Sequence, residues 1–221
     1  MRIATCLMTC DRSDLTARVV QSMIEPGELY VGHSILAHGD DASSSFKNHS
    51  IAHEAGFKTI AQSMQRVGCF EMRKRLITET VKLYSPTHVL LWENDWECVR
   101  PIPWRSMQKA LDDDTWQFRL YGAHKQEDNT RPCGAFHAGK NKKDPGWVPF
   151  ISAGVQCERG DIHWGTPPAL CRTEELMYLL GKSNSDKEMW ERSGDLSSLT
   201  ARVVENVVWH VGFEQTPGFV K

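Results

Sequence analysis

Two acids set two residues apart, Glu93 and Asp95, close an apolar run, and this is the plainest chemistry in the chain. Val89, Leu90, Leu91 and Trp92 form a short hydrophobic block behind Ser85-Pro86, the pattern of a strand buried on both faces of a mostly parallel sheet. Ligands of open α/β sheets bind outside the carboxyl ends of the strands, so both carboxylates are predicted to face a cleft. Hard oxygen donors at such a lip suit Mg²⁺ or Mn²⁺ that also carries phosphates, and the simplest reading is a cation bridging a diphosphate. The competing reading is a polar turn that only closes a strand.

A second cluster is basic and aromatic. Lys140, Lys142 and Lys143 stand near Trp147 in a stretch, 122–146, that is rich in Gly, Asn, Lys and Pro and poor in aliphatics. Long loops in compact domains are often binding loops, and cations beside an aromatic ring can follow a nucleic-acid backbone and stack on a base. A solvated loop with a core tryptophan is the alternative. Cys6, Cys10 and Cys69 match no strong zinc spacing.

Composition narrows the classes. With 221 residues and 40% hydrophobic content the chain can bury a sizeable core, and a single domain is expected. A formal charge of -2 from interspersed acids and bases excludes a global basic field for nonspecific nucleic-acid binding. Seven scattered cysteines predict free, mostly buried thiols in a reducing compartment. The first nine residues are too short and too soon interrupted by Asp11 and Arg12 for a signal peptide, and no run approaches a membrane span, so a soluble cytoplasmic protein is expected.

The elements that must position the acids alternate. Strands are predicted over 2–9 and 30–37, a helix over 14–24 capped by Asp14 or Ser13, a short helical patch over 50–56 and a small strand over 57–60. A longer helix over 68–84 is predicted to turn Phe70, Met72, Leu76, Ile77, Thr80 and Val81 inward and Arg73, Lys74, Arg75, Glu79 and Lys82 outward. This alternation is that of a parallel sheet with crossover helices. Beyond it are expected a helix over 106–111, strands over 116–121 and 150–156, a helix over 173–180 capped by Thr173, a polar stretch holding Asp186 and Glu188, and a last helix over 196–205.

Taken in order, these pieces resemble a GT-A glycosyltransferase, most nearly the family-two-like group. The resemblance rests on a first strand ending Thr9-Cys10-Asp11-Arg12, a second ending Asp40-Asp41, and a basic helix before the strand ending Glu93-Asn94-Asp95. Thr166-Pro167-Pro168-Ala169-Leu170-Cys171-Arg172 is similar to that group's acceptor-side Asn-Pro-x-Leu-Ile-Arg segment, and Trp209-His210-Val211-Gly212 to its C-terminal metal-binding His motif. Two positions depart: Glu93 begins the Asp-x-Asp, and Thr166 stands where Asn precedes Pro.

The resemblance implies a single GT-A-like, Rossmann-like domain, with a nucleotide-sugar half over about 1–100 and an acceptor half over about 101–221. It implies a metal-dependent hexosyltransferase that moves a sugar from a UDP-type donor to an acceptor hydroxyl. Glu93, Asp95 and His210 would hold Mn²⁺ or Mg²⁺, His210 being read equally as a core histidine. Thr9, Asp11, Arg12, Asn94 and Asp40 or Asp41 would serve the nucleotide, and Arg66 and Arg73 its phosphates, since guanidinium binds oxyanions in bidentate fashion. Asp186 or Glu188 would be the base that takes the acceptor proton, with Glu174 and Glu175 as rivals. The acceptor is left open among a protein, a small molecule, a lipid headgroup and a hydroxymethylated base of viral DNA. A nucleotidyltransferase on a similar scaffold and a non-catalytic sugar or nucleotide-binding module are the alternatives; no Gly-rich phosphate loop follows the first strand.

Overall fold

The computed structural model describes residues 1–10, 12–23, 30–38, 42–63, 68–121, 147–160 and 168–211, with backbone alone for 10, 30–38, 42–45, 59–63 and 210. The first half alternates: β1 (Ile3–Cys10), α1 (Ser13–Met23), β2 (Tyr30–His38), α2 (Ala42–Glu54), β3 (Lys58–Ser63), α3 (Cys69–Tyr84) and β4 (His88–Glu93). The second comprises β5 (Trp96–Cys98), α4 (Trp104–Asp112), β6 (Thr115–Arg119), β7 (Val148–Ser152), β8 (Val155–Gly160), β9 (Ala169–Arg172), α5 (Thr173–Lys182), α6 (Asp186–Ser193), β10 (Leu199–Val203) and β11 (Val208–His210).

The main sheet has the order β3-β2-β1-β4-β9-β6-β10-β8-β7, and β11 pairs with β5 in a second ribbon. The strands β1, β2, β3 and β4 are mutually parallel, and β9 runs against both β4 and β6. Because β6 and β10 are parallel and β8 and β7 antiparallel in turn, only β8 and β9 oppose the common direction. The result is the mostly parallel, helix-flanked α/β architecture of GT-A type that the sequence predicts.

The sheet separates two apolar layers. Along β4, Leu90 and Trp92 enter the layer that also holds Leu7, Val19, Met107 and Phe118, while Val89 and Leu91 enter that of Phe70, Ile77, Trp116 and Leu176. Alternation of side chains across a strand explains the split, and each fully buried leucine is worth roughly 2 kcal/mol. Helix α3 closes in a left-handed Ser85, whose N–H donates to the Val81 carbonyl at 2.9 Å.

Several expectations are corrected. The helix predicted over 196–205 is absent: 199–203 is strand β10, hydrogen-bonded between β6 and β8, because its backbone and its buried Thr200, Ala201 and Val203 fill a gap that two strands already frame. The strand predicted over 150–156 is a hairpin of β7 and β8, turning at Ala153 and Gly154 with φ 45 and 85, both left-handed as a two-residue turn of the I′ kind requires. The segment leading to α5 holds strand β9, and the polar stretch around Asp186 is helix α6. Helix α2 is longer than the 50–56 patch, Ser13 and Asp14 lie inside α1, and Thr173 is the first residue of α5, preceded by Arg172 at the cap position. Among the described residues no helix is long and apolar enough to cross a membrane.

Candidate active site at the C-terminal edge of the sheet

The acid-x-acid turn joins β4 to β5 and is held from several sides. The Trp92 indole N–H donates to the Trp96 carbonyl at 2.7 Å, and the Asn94 N–H to the Met8 carbonyl of β1 at 3.1 Å. Asn94 is buried, and its carboxamide donates to Thr16 Oγ1 of α1 at 2.9 Å. Its side chain thus anchors the turn from beneath. Val211 N–H donates to the Asp95 carbonyl at 2.8 Å, and His210 is paired with Trp96, so the C-terminal strand is laid against this turn by its backbone. The His210 side chain lies outside what is described.

The two acids meet different cations. Glu93 Oε1 accepts from Arg73 Nη2 at 2.9 Å, and Arg73 is only 5% exposed. Its other terminal nitrogen, Nη1, donates to Asp186 Oδ1. Burial opposes charge on this guanidinium, but the Glu93 and Asp186 carboxylates outweigh it, and its pKa lies above the ordinary value. Asp95, by contrast, stands 3.7 Å from Arg12 Nη2, with both side chains partly open, at 22% and 33%. Arg12 adopts φ 44 and its carbonyl receives the Leu15 and Thr16 N–H groups, so the left-handed residue starts α1 and points its cation at the turn.

Asp186 arrives by a return path. Strand β9 runs backward, pairing Arg172 with His88 at the start of β4, about 16 Å by strand rise from Glu93. Helix α5 then covers the return, its ten residues spanning about 15 Å, and α6 opens at the edge where Glu93 lies. Ser185 caps α6 by accepting the Glu188 N–H at 3.1 Å, and the Glu188 carboxylate reaches back to the Asn184 N–H at 2.9 Å. Glu188 is therefore occupied with the helix end. Glu174 and Glu175 sit at the start of α5, at the opposite edge of the sheet, where Glu175 is 3.3 Å from Arg172. That guanidinium also ties down α4, donating from Nε to the Leu111 carbonyl at 2.7 Å.

The structure thus brings together Arg12, Arg73, Glu93, Asn94, Asp95 and Asp186. Thr9 is fully buried at the end of β1. Asp11, Asp40, Asp41, Arg66 and the loop lysines 140, 142 and 143 lie outside the described residues. Arg73, placed outward by the sequence pattern, turns inward; its spacing from Phe70, Ile77 and Thr80 put it on the apolar stripe all along.

A second charged assembly, which the sequence pattern does not predict, lies on β6, β8 and β10. Arg202 donates through Nε and Nη2 to Glu158 Oε2 at 2.9 and 2.7 Å, and its guanidinium lies 3.9 Å from the centre of the Trp147 ring. The Trp147 ring, read from the sequence either as a stacking face for a base or as a core tryptophan, has one face covered by this arginine. Arg119 pairs in register with Arg202, and burial pulls its pKa down. The signal in the sequence is polar side chains inside a strand pattern, Gln117 and Arg119 alternating with Trp116 and Phe118.

Hard carboxylate oxygens at Glu93 and Asp95 are the donor set Mg²⁺ and Mn²⁺ favour, and such ions often take one or two carboxylates plus substrate phosphates. Asp95 fits best, its cationic neighbour being longer and partly exposed. Glu93 is committed to Arg73. Among the described residues no three His, Cys, Asp or Glu side chains gather as a metal cluster.

No family model matches the chain, and no curated protein matches it. Solved structures do share its fold. The chain is similar to S. aureus TarS 1-349 in complex with UDP-GlcNAc (TM-score 0.61, 12% identity, 96% of this chain and 61% of that one). The complex of the same protein with UDP gives 0.60 and 11%, over 94% and 59%. The chain therefore spans about three-fifths of TarS 1-349. A 4-diphosphocytidyl-2C-methyl-D-erythritol synthase is similar at TM-score 0.50 and 8% identity, over 93% and 89%.

Proposed function

We propose that the chain is a metal-assisted glycosyltransferase that takes a sugar from a UDP-type donor to an acceptor hydroxyl, with the donor held by residues of about 1–100 and the acceptor by those of about 101–221. The observation that carries this reading is the convergence of Asp95, Glu93 and Asp186 at the carboxyl edge of β4, on a fold whose structural neighbour TarS holds UDP-GlcNAc. Asp95 would hold Mn²⁺ or Mg²⁺ against the donor diphosphate, with the His210 segment beside it, and the cation would supply Lewis-acid stabilisation of the leaving group. Arg12 stands within reach of the same phosphates.

Asp186 is the base. In a single displacement the acceptor oxygen bonds to the anomeric carbon, the bond from that carbon to the diphosphate oxygen breaks with its electron pair, and the acceptor proton passes to the Asp186 carboxylate. Its side chain is 41% exposed, enough to receive an incoming hydroxyl while Oδ1 holds Arg73. Glu188 is less suited, being engaged with the α6 cap.

Calorimetry of UDP-sugars with and without Mn²⁺, followed by mass spectrometry of candidate acceptors including hydroxymethylated DNA, tests the reading. Metal-dependent UDP-sugar binding and a hexose mass increment are expected. Release of pyrophosphate from a nucleoside triphosphate and a sugar phosphate would replace it with nucleotidyl transfer, the chemistry suggested by the likeness to the diphosphocytidyl synthase. Absence of nucleotide binding under either condition overturns it.

A further inference from the structure

We propose that Arg73 is a positioning residue, whose buried guanidinium bridges Glu93 on β4 and Asp186 on α6 and so fixes the base relative to the donor edge. The proposal rests on the function proposed above and assigns a role that reading does not contain. It also moves Arg73 away from phosphate binding.

The geometry supports this in three ways. Helix α6 has only eight residues, and its own capping bonds from Ser185 and Glu188 are local, so they fix its start without fixing its distance from the sheet. Two bonds from α3 do span that distance: Lys74 Nζ to the Ser183 carbonyl at 3.2 Å, and Arg73 to the Asp186 side chain itself. Only the second acts on the carboxylate.

The guanidinium, moreover, has little freedom to serve anything else. It is 5% exposed, both terminal nitrogens are used, and its buried Nε has no hydrogen-bond partner among the described residues. Turning it toward a phosphate would leave Glu93 and Asp186 facing each other without the charge between them. A planar fork that binds one carboxylate per arm also sets direction, which an ammonium cannot do as well. A base must stand within hydrogen-bond reach of the hydroxyl it deprotonates, and misplacement by about 1 Å can cost roughly a hundredfold in rate.

Release of UDP from UDP-GlcNAc with Mn²⁺ present, water serving as acceptor, gives a readout that does not require the natural acceptor. The full chain, Arg73→Gln, Arg73→Lys, Asp186→Asn and the Gln/Asn double variant would be compared. Arg73→Gln is expected to lower kcat about 10- to 100-fold with donor KM changed less than about threefold, and Arg73→Lys to recover part of the loss. In the Asp186→Asn background Arg73→Gln should add less than about threefold, because its effect runs through that carboxylate. Full additivity, or a rise in KM at constant kcat, overturns the inference and returns Arg73 to donor binding, while leaving the glycosyltransferase reading intact. If Arg73→Gln fails to fold, the Lys variant carries the same cycle, and additivity there is equally fatal. No UDP release from any UDP-sugar by the unaltered chain overturns the proposed function and the inference with it.

Discussion

Glu93 and Asp95 lie in one turn, yet the fold gives them opposite surroundings. Glu93 is locked to a buried arginine that also holds Asp186, whereas Asp95 faces a half-exposed Arg12 across 3.7 Å. Removing one member of a buried ion pair leaves the other charge without compensation, while an exposed pair is worth about 0–1 kcal/mol and exchanges partners readily. The same kind of side chain is thus held in a buried ion pair at one position and left in a longer, partly open one two residues later. What separates them is the side of the strand: Glu93 continues the alternation that sends Leu91 toward α3, and Asp95 stands past the turn.

The contrast can be broken most sharply at Asp95. Asp95→Ala should abolish Mn²⁺-dependent binding of UDP while leaving the thermal transition nearly in place, as read by calorimetry and circular dichroism. Equal nucleotide affinity in the variant, with metal present, removes the cation from this carboxylate.

Glu93→Gln should show the reverse balance. A loss of about 1–3 kcal/mol in urea unfolding is expected, less than for a fully buried pair because Glu93 is partly exposed, with Mn²⁺·UDP affinity kept within about threefold. Should nucleotide binding vanish while stability holds, the assignment of the two acids is interchanged.

A smaller effect is expected at Arg12. Arg12→Gln removes the cation that stands 3.7 Å from Asp95, so Mn²⁺ alone, titrated without nucleotide, should bind up to about fivefold more tightly. Unchanged or weaker metal binding would mean that Arg12 does not compete for that carboxylate.

The smallest effect belongs to the far edge of the sheet, where no donor is expected. His88 lies beside Arg172, its Nδ1 2.9 Å from Thr87 Oγ1, and burial, with help from the chain's amino terminus and Arg172, holds its pKa below the ordinary histidine value of about 6.5. The unfolded chain therefore takes up a proton before the folded one does. Stability from this residue is present above about pH 6.5 and is lost as pH falls through the folded value. Urea unfolding across pH 5–7 should show this slope, and His88→Gln should flatten it without altering nucleotide affinity. An unchanged slope would assign the acid sensitivity to other groups.

Much of the first half was legible from the chain. An apolar block ending in acids reads as a buried strand, and α3 and β1 carry periodicities long enough to place within a residue or two. In the second half the local signals are shorter and contradictory. Leu199 to Val203 contains good helix formers, and Ala169 to Arg172 is a four-residue strand after prolines, so neither declares itself before its neighbours are known. Arg73 carries two conflicting signals, a charge that by type belongs in solvent and a spacing that lies on the apolar face, and burial follows the spacing because two carboxylates compensate the charge.

The sequence by itself determined the alternating α/β pattern, the position of the acid-x-acid turn and the apolar faces of α1 and α3, because hydrophobic periodicity and turn chemistry act over a few residues. Only the tertiary structure decided that β9 runs backward, that α5 and α6 return Asp186 to the carboxyl edge of β4 while Glu174 and Glu175 stay behind, and that one arginine joins Asp186 to Glu93. Those outcomes depend on contacts as much as 113 residues apart in the chain, where the energy of a buried charge and the pairing of strand edges outweigh local preference.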